Sequence, residues 1–393
     1  MNRDAELSNT HKAVRLPFFY IVKREPLARA QTALLYLSAL LVALCLGGLL
    51  LLALGHNPLT VYAQIIRGSL AKPTALKETV KIAIPLLLAG IAVAISFKLK
   101  FWNIGAEGQI LIGGIAAMAV PIYLPALSPA LKLILMALSA LLAGGLYASL
   151  PAIFKVRWGT NETLFTLMLN YVALQFLRYL QYQETWQDPG TKFPKIRPLA
   201  PTETLPRLFE VHIGWVIALI LAIVAWFYLK RSKHGFEIAI IGDSLNTARY
   251  AGMNVKRIIV RTVFISGALA ALVGYFMVAG TDYALTEATA GGVGFIAITV
   301  AWLAKLNPLL MIVIASGLAI LQKGSLSIQS SLGIPASAAS LLTGLILFAV
   351  LGSEFFRNYQ LRRNKSRSLA GKQSSHPEFK AEDQHLPYQK EKR

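Results

Sequence analysis

Apolar residues in this chain gather in long runs separated by short polar or proline-rich stretches, with neither strict alternation nor a single narrow helical stripe. A hydrocarbon layer of about 30 Å needs about 20 helical residues at 1.5 Å each. Ten runs approach that length: 32–54, 77–97, 104–124, 131–154, 164–181, 213–229, 258–280, 292–304, 308–322 and 336–355. The eighth and ninth are short and joined by Lys305-Leu306-Asn307-Pro308, so a tight hairpin or a partly re-entrant pair, enclosed by protein, is expected there. The pattern predicts an all-α, polytopic membrane helix bundle of about 10 transmembrane helices.

Composition supports this class. Apolar residues make up 55% of the 393 positions and charged ones only 15%, against about 25% charged in soluble domains; the mean hydropathy is +0.55. A net charge of +20 would suit nucleic acid if the basic residues were interleaved with aromatics on one face. Instead they stand at the ends of apolar runs and in the tails, where anionic lipid head groups lie, and nucleic-acid binding is set aside. Lys98 and Lys100, Lys155 and Arg157, and Lys230, Arg231 and Lys233 each follow a run directly, which places those ends in the cytoplasm together with both termini.

The expected division is a cytoplasmic amino-terminal tail (1–31), a transmembrane domain (32–356) and a disordered cytoplasmic tail (357–393). Within the domain lie an outer loop (182–212), made irregular by Pro189, Pro194, Pro198, Pro201 and Pro206, and a cytoplasmic loop (230–257). The first run is too long for a signal-peptide core and follows Lys23, Arg24 and Arg29, so it is expected to stay as an anchor. Cys45 has no partner for an internal disulfide.

Four stretches carry candidate chemistry. In FWNIGAEGQILIGGIAA, residues 101–117, Asn103, Glu107 and Gln109 enter an apolar run, where a carboxylate is expensive to desolvate. One reading makes Asn103 the N-cap of the third helix, which starts near Ile104, with Glu107 in its first turn. Alternatively, Gly105, Ala106 and Gly108 admit a second helix while Glu107 and Gln109 face a path or fix a gate. Next come Asn161, Glu162 and Thr163, explained by Thr160 or Asn161 as a cap; Asn170 lies deeper, as a helix contact or a substrate contact. In the loop 230–257, Asp243 or Ser244 caps a short helix through Asn246, Ala248 and Ala251, stopped by Gly252. With Arg249 and Tyr250 on it, that helix suits docking of a soluble partner better than lying on lipid, because its apolar face is small. Finally, Gly292-Val293-Gly294-Phe295-Ile296-Ala297 matches a dinucleotide fingerprint by letter only, since no strand precedes it. Its glycines suit close packing or a bend, with Asp282 and Glu287 at the outer water boundary.

No phosphate-binding G-x-x-x-x-G-K-[ST] loop, H-E-x-x-H or G-x-S-x-G occurs, and the six histidines lack metal-ligand spacing. No catalytic residue, metal or cofactor is therefore expected in this chain, and energy from hydrolysis must come from another protein. An ion-coupled secondary transporter is the rival class; it would favour midplane carboxylates and inverted repeats. A membrane-embedded enzyme would need acids, ligands or a nucleophile converging at one depth.

Taken together, FWNIGAEGQILIGG (101–114), NETLFTLMLNYVA (161–173), GFEIAIIGDSLNTARYAGM (235–253) and GGVGFIAITVAWLAKLNP (291–308) resemble the permease subunits of bacterial ABC importers of the branched-chain amino acid, ribose and nucleoside superfamily, and within it the nucleoside or simple-sugar branch. The resemblance implies a permease subunit in the bacterial inner membrane that forms, with a second and related permease, the path for a nucleoside or simple sugar. A branched-chain amino acid is the alternative cargo. It also implies a cytoplasmic ABC ATPase that binds ATP and Mg, and a periplasmic or lipoprotein substrate-binding protein. By match of motif, Gly235, Glu237, Gly242, Asn246, Ala248, Arg249 and Gly252 would couple to the ATPase. Asn103, Glu107, Gln109, Asn161, Glu162 and Asn170 would lie at the path or gate, and Gly105, Gly108, Gly292 and Gly294 would serve helix packing. Neutral, polyhydroxylated solutes need amides, hydroxyls and aromatic faces, which Asn170, Tyr171, Gln175, Thr299, Trp302 and Gln322 supply.

Overall fold

The computed structural model describes residues 19–24, 28–191 and 193–363; most of the two expected tails lies outside the described residues. In chain order the elements are β1 (Phe19–Lys23), α1 (Arg29–Ala53), α2 (Pro58–Ile66), α3 (Pro73–Lys98), α4 (Ala106–Tyr123), α5 (Pro129–Trp158), α6 (Glu162–Gln181), β2 (Arg207–Leu208), β3 (Val211–His212), α7 (Gly214–Arg231), α8 (Lys233–Asp243), α9 (Leu245–Tyr250), α10 (Val255–Phe276), α11 (Val293–Leu303), α12 (Pro308–Leu332), α13 (Ala336–Asn358) and β4 (Tyr359–Arg363). π-helical turns prolong α2 over Arg67–Ala71 and α10 over Met277–Asp282. Two compact units emerge, residues 1–37 with 352–393 and residues 38–351. In the first, β1 and β4 pair antiparallel, Phe19 opposite Arg363 and Lys23 opposite Tyr359. The second is helical apart from the β2–β3 ladder and one isolated bridge, and it carries everything discussed below.

Local chemistry starts these helices where it should. Helices α2, α3, α5 and α12 open on proline, which lacks the N–H that would be orphaned there. Asn57 and Asn307 add side-chain caps, accepting from Leu59 N at 3.0 Å and Leu309 N at 3.1 Å.

The expected count of ten crossings is not matched by ten long helices. Among the described residues, six helices (α3, α4, α5, α7, α10 with its π turn, and α12) are long and apolar enough to cross a membrane, or seven if the pair Leu37–Ala53 and Pro58–Ala71, bent by 117°, is one span. The short eighth element is real, since α11 has 11 residues and reaches only about 16 Å at 1.5 Å per residue. The ninth is not short: α12 runs 25 residues to Leu332. Its apolar run ends early because Gln322, Ser325 and Gln329 recur on one face while the helix continues. Helix α6 spans 20 residues but is less apolar than these six, and Glu162, Thr166 and Asn170 lie along its buried stripe. Two helices went unpredicted: α2, whose apolar stretch is short and folds back, and α8, which precedes the expected α9.

Where α5 meets α10, small side chains face inward and large apolar ones face outward. On α5, Gly144 and Ala148 meet Gly267 and Ala271 of α10 so closely that a Cβ on Gly144 would stand 2.0 Å from the Ala271 Cβ. The opposite face of α5 exposes Leu131, Ile134, Leu138, Leu142 and Leu146 at helical spacing, as a lipid-facing surface requires. Helix α3 is buried on every side from Ile84 to Phe97.

The loop 182–212 is irregular, as its prolines predict, but well anchored. Trp186 donates to Tyr123 Oη at 2.9 Å, Arg197 to the Pro121 carbonyl at 2.6 Å, and Lys132 of α5 to Glu203 at 2.7 Å. Both partners of the last pair are nearly buried, with side chains 10% and 11% exposed. Lys132→Met alone should therefore destabilise by about 3–5 kcal/mol, because Glu203 is left charged and unpaired. The Lys132→Met/Glu203→Gln double variant should recover most of the loss in a detergent melting experiment; equal melting of all three proteins would refute the pair's role.

Candidate translocation and coupling site

Irregular backbone at membrane depth must find partners inside the protein, because lipid offers none. Between α3 and α4 the chain is non-helical from Leu99 to Gly105. Helix α3 ends with Lys100 in the left-handed region (φ 59), and its terminal carbonyls are closed by Lys100 N to Phe97 O at 2.9 Å and Phe101 N to Ser96 O at 3.1 Å. Helix α4 then starts on Gly105, which has no side-chain cap. Asn103 is not its N-cap; its Oδ1 accepts from Gly105 N at 3.0 Å and thereby shapes the approach to the helix.

Side chains from the connection itself and from three helices, α4, α6 and α10, take up the polar groups here. Asn103 and Gln109 exchange two amide hydrogen bonds, at 3.0 and 3.2 Å, and Asn103 also reaches Ser266 Oγ of α10 at 3.4 Å. Ser266 in turn donates to the Ala92 carbonyl of α3 at 2.7 Å. From α6, Thr166 Oγ1 accepts from Ile104 N at 3.1 Å. Asn170 Oδ1 accepts from Gly108 N at 2.8 Å, while its Nδ2 donates to Ile104 O at 3.0 Å. Asn170 stands eight residues along α6 from Glu162, about 12 Å from the helix start, so these bonds form well inside the bundle. Gly105 and Gly108 permit the contact: a Cβ on Gly108 would lie 2.9 Å from the Asn170 Cα.

Glu107 reaches a different helix. Its two carboxylate oxygens accept from Gly292 N at 2.7 Å and Gly294 N at 2.8 Å, at the start of α11. A helix N-terminus leaves backbone N–H groups without intrahelical partners and carries a positive partial charge. The remaining donors there are also met: Val293 N by Ala290 O at 2.8 Å, and Phe295 and Ile296 N by Gly292 O at 3.1 and 3.0 Å. Gly294 is required by closeness, since a Cβ would stand 2.3 Å from Glu107 N. Gly292 is required by conformation, at φ +81 with open space around it. The other end of α11 is held by Trp302, stacked on Trp102 at 5.7 Å beside Phe97.

The remaining expected residues lie apart from this cluster. Asn161 caps α6 through Thr163 N at 3.0 Å and Leu164 N at 3.3 Å, and Glu162 pairs with Lys155 of α5 at 2.7 Å. Tyr171 and Gln175 fall on the exposed side of α6. Glu287 forms an exposed pair with Arg178 at 2.7 Å.

The loop between α7 and α10 divides into an anchored part and a displayed part. Gly235 sits against the α7 end, where a Cβ would lie 2.3 Å from Tyr228 O, and Gly242 sits on α3, 2.2 Å by the same measure from Lys98 O. His234 is buried between Tyr228 and Thr262, and that burial, with Arg261 nearby, pushes its pKa below the ordinary histidine value. Glu237 is half-buried beside this ring on α8. Ser244 Oγ caps α9 by accepting from Thr247 N at 3.2 Å, Ala248 is buried, and Gly252 (φ +71) ends the helix. Leu245, Asn246, Arg249 and Tyr250 face outward, Tyr250 at 93% exposure.

Thr166 and Ser266 were not anticipated as members of the polar cluster. Thr166 was signalled by the spacing Glu162, Thr166, Asn170, one helical face at every fourth residue; Ser266 is a single hydroxyl in an apolar run and gives no such sign. Because Glu107 makes two charge-assisted bonds, Glu107→Gln should cost about 2 kcal/mol, having one acceptor left for two donors. Gly294→Ala, which forces the two helices apart, should cost more. Melting in detergent checks both, and a Glu107→Gln protein that melts like wild type would contradict the assignment.

Comparison with known proteins places this geometry in a family. Residues 76–351 match the family described as branched-chain amino acid transport system / permease component. The chain is 32% identical over 336 residues to the glucose ABC transporter permease protein of Haloferax volcanii, covering 82% of this chain and 87% of that one. It is 32% identical over 341 residues to the guanosine ABC transporter permease protein of Bacillus subtilis (84% and 96% covered) and 26% identical over 335 residues to the nucleoside ABC transporter permease protein of Lactococcus lactis (82% and 91%). The resemblance carried by the four sequence stretches is thus borne out: the chain is a multi-pass membrane protein and belongs to this family of transport-system permease components.

Proposed function

We propose that this chain is the membrane-spanning subunit of an ATP-driven importer of a nucleoside or simple sugar in a bacterial inner membrane. A second, related permease completes the path, a cytoplasmic ABC ATPase binds ATP and Mg, and a periplasmic or lipoprotein binding protein delivers the solute. Relatives that match most of the chain are named for guanosine, nucleosides and glucose, which supports this cargo over a branched-chain amino acid.

The observation that carries the reading is the α8–α9 segment. Gly235, Gly242 and Ala248 fix it to the bundle, while Leu245, Asn246, Arg249 and Tyr250 are left uncovered. Exposed tyrosine and arginine on a rigid mount are the residues that dominate protein interfaces. The basic last turns of α3, α5 and α7 (Lys98, Lys155, Arg157, Lys230 and Arg231) fit a cytoplasmic position for this end. The connection to the gate is short. Gly242 presses on Lys98 O, Lys98 precedes the Lys100 turn, and that turn leads to Asn103 and Glu107. Movement of α8 and α9 would therefore be passed to the junction of α3 and α4, and from Glu107 to α11. In this reading Asn103, Glu107, Gln109 and Asn170 frame the gate, and Asn161 and Glu162 brace its cytoplasmic edge.

Reconstituted with its ATPase, binding protein and second permease, the wild type should take up labelled guanosine or glucose only when ATP is supplied on the α9 face. Tyr250→Ala combined with Arg249→Glu should leave membrane insertion intact and weaken ATPase association by about 2 kcal/mol or more, roughly 30-fold. ATP-independent uptake by the wild type, or undiminished uptake by the variant, would overturn the proposal.

A further inference from the structure

A cavity of about 610 Å³ opens between α3, α11, α12 and α13, within the range of small-molecule sites, about 300–1,000 Å³. Its polar lining is Gln322, Ser325 and Gln329 on one face of α12, with Ser340 and Thr343 on α13. No charged side chain lines it. Ser325 and Thr343 bond to each other at 2.8 Å. Among the described residues, the amides of Gln322 and Gln329 and the Ser340 hydroxyl have no hydrogen-bond partner, although each amide offers two donors and an acceptor. Unpartnered amides facing lipid would be costly, so this wall meets water or a polar solute.

The edge of the cavity decides which solute. Gly291 and Ile296, at the start of α11, form part of the lining. A helix N-terminus inside a membrane protein is a natural seat for a solute carboxylate. Here that seat is already filled, since Glu107 takes Gly292 N and Gly294 N at 2.7 and 2.8 Å. A free amino acid would thus find neither a cationic group for its carboxylate nor an anionic one for its ammonium.

We propose that this cavity is the wall of the path that touches the solute, that Gln322 and Gln329 bind it, and that it admits uncharged, hydroxyl-rich solutes and rejects zwitterions. The inference rests on the importer reading above and adds to it the contact residues and the physical ground for selectivity.

The test uses the complete reconstituted importer with guanosine, glucose and leucine as labelled solutes. The wild type should carry guanosine or glucose and not leucine. Gln322→Leu and Gln329→Leu, scaled to the amount of complex in the membrane, should each slow uptake at solute well below saturation by about fivefold or more, the worth of one lost hydrogen bond. In a Cys45→Ser background, Gln322→Cys and Gln329→Cys should react with a charged methanethiosulfonate reagent, and the transported solute should slow that reaction. Normal uptake by both leucine variants, or no reaction at either cysteine, overturns the inference and leaves the importer reading standing. Separation of the two permeases in the leucine variants also overturns it, because the amides would then be bonds between subunits. Uptake of leucine instead of guanosine or glucose overturns the cargo reading and the inference together.

Discussion

One carboxylate holds a broken helix in place, and much else depends on it. Helix α11, with 11 residues, is too short to cross a membrane, and the first N–H groups of a helix have no intrahelical partner. Glu107 supplies the missing acceptors with both oxygens. The positive helix end in turn offsets part of the desolvation that burial imposes on the carboxylate. Each group thereby lowers the cost of placing the other there. That mutual need explains the glycine at 294, the left-handed turn at 292 and the approach of α4 to α11.

The amide and hydroxyl cluster obeys the same rule at the junction of α3 and α4. Asn103, Gln109, Thr166, Asn170 and Ser266 do for non-helical backbone what water would do outside the membrane. The polar residues thereby tie together the helices on which α8 leans. In the proposed function, coupling and gating would share one physical device, a segment of irregular backbone satisfied by side chains from neighbouring helices. The small-residue seam between α5 and α10, by contrast, is packed with no room for a further methyl group.

Much of this was legible in the chain. Apolar run length marked the bundle, prolines and asparagines marked helix starts, and Asn161, Ser244 and Gly252 performed the capping and stopping roles that their residue types suggest. The prominence of Glu107 was visible as a carboxylate entering an oily segment. What could not be read was its partner, because 185 residues separate it from Gly292 and no local rule connects them. Run length found α6 but cut α12 short at 322, since a helix whose polar face is turned inward or into a cavity has lower hydropathy without being shorter. Helix α2 escaped because only tertiary contacts fold so short an apolar piece back into the bundle.

Glu107 closes the N-terminus of α11 within the helix bundle. Hydrogen exchange at the amides of residues 292–296, measured in the wild type and in Glu107→Ala, addresses it most directly. Slow exchange in the wild type and markedly faster exchange at Gly292 and Gly294 in the variant is the expected result. Rapid exchange at those amides in the wild type, or equal protection in both proteins, would contradict it.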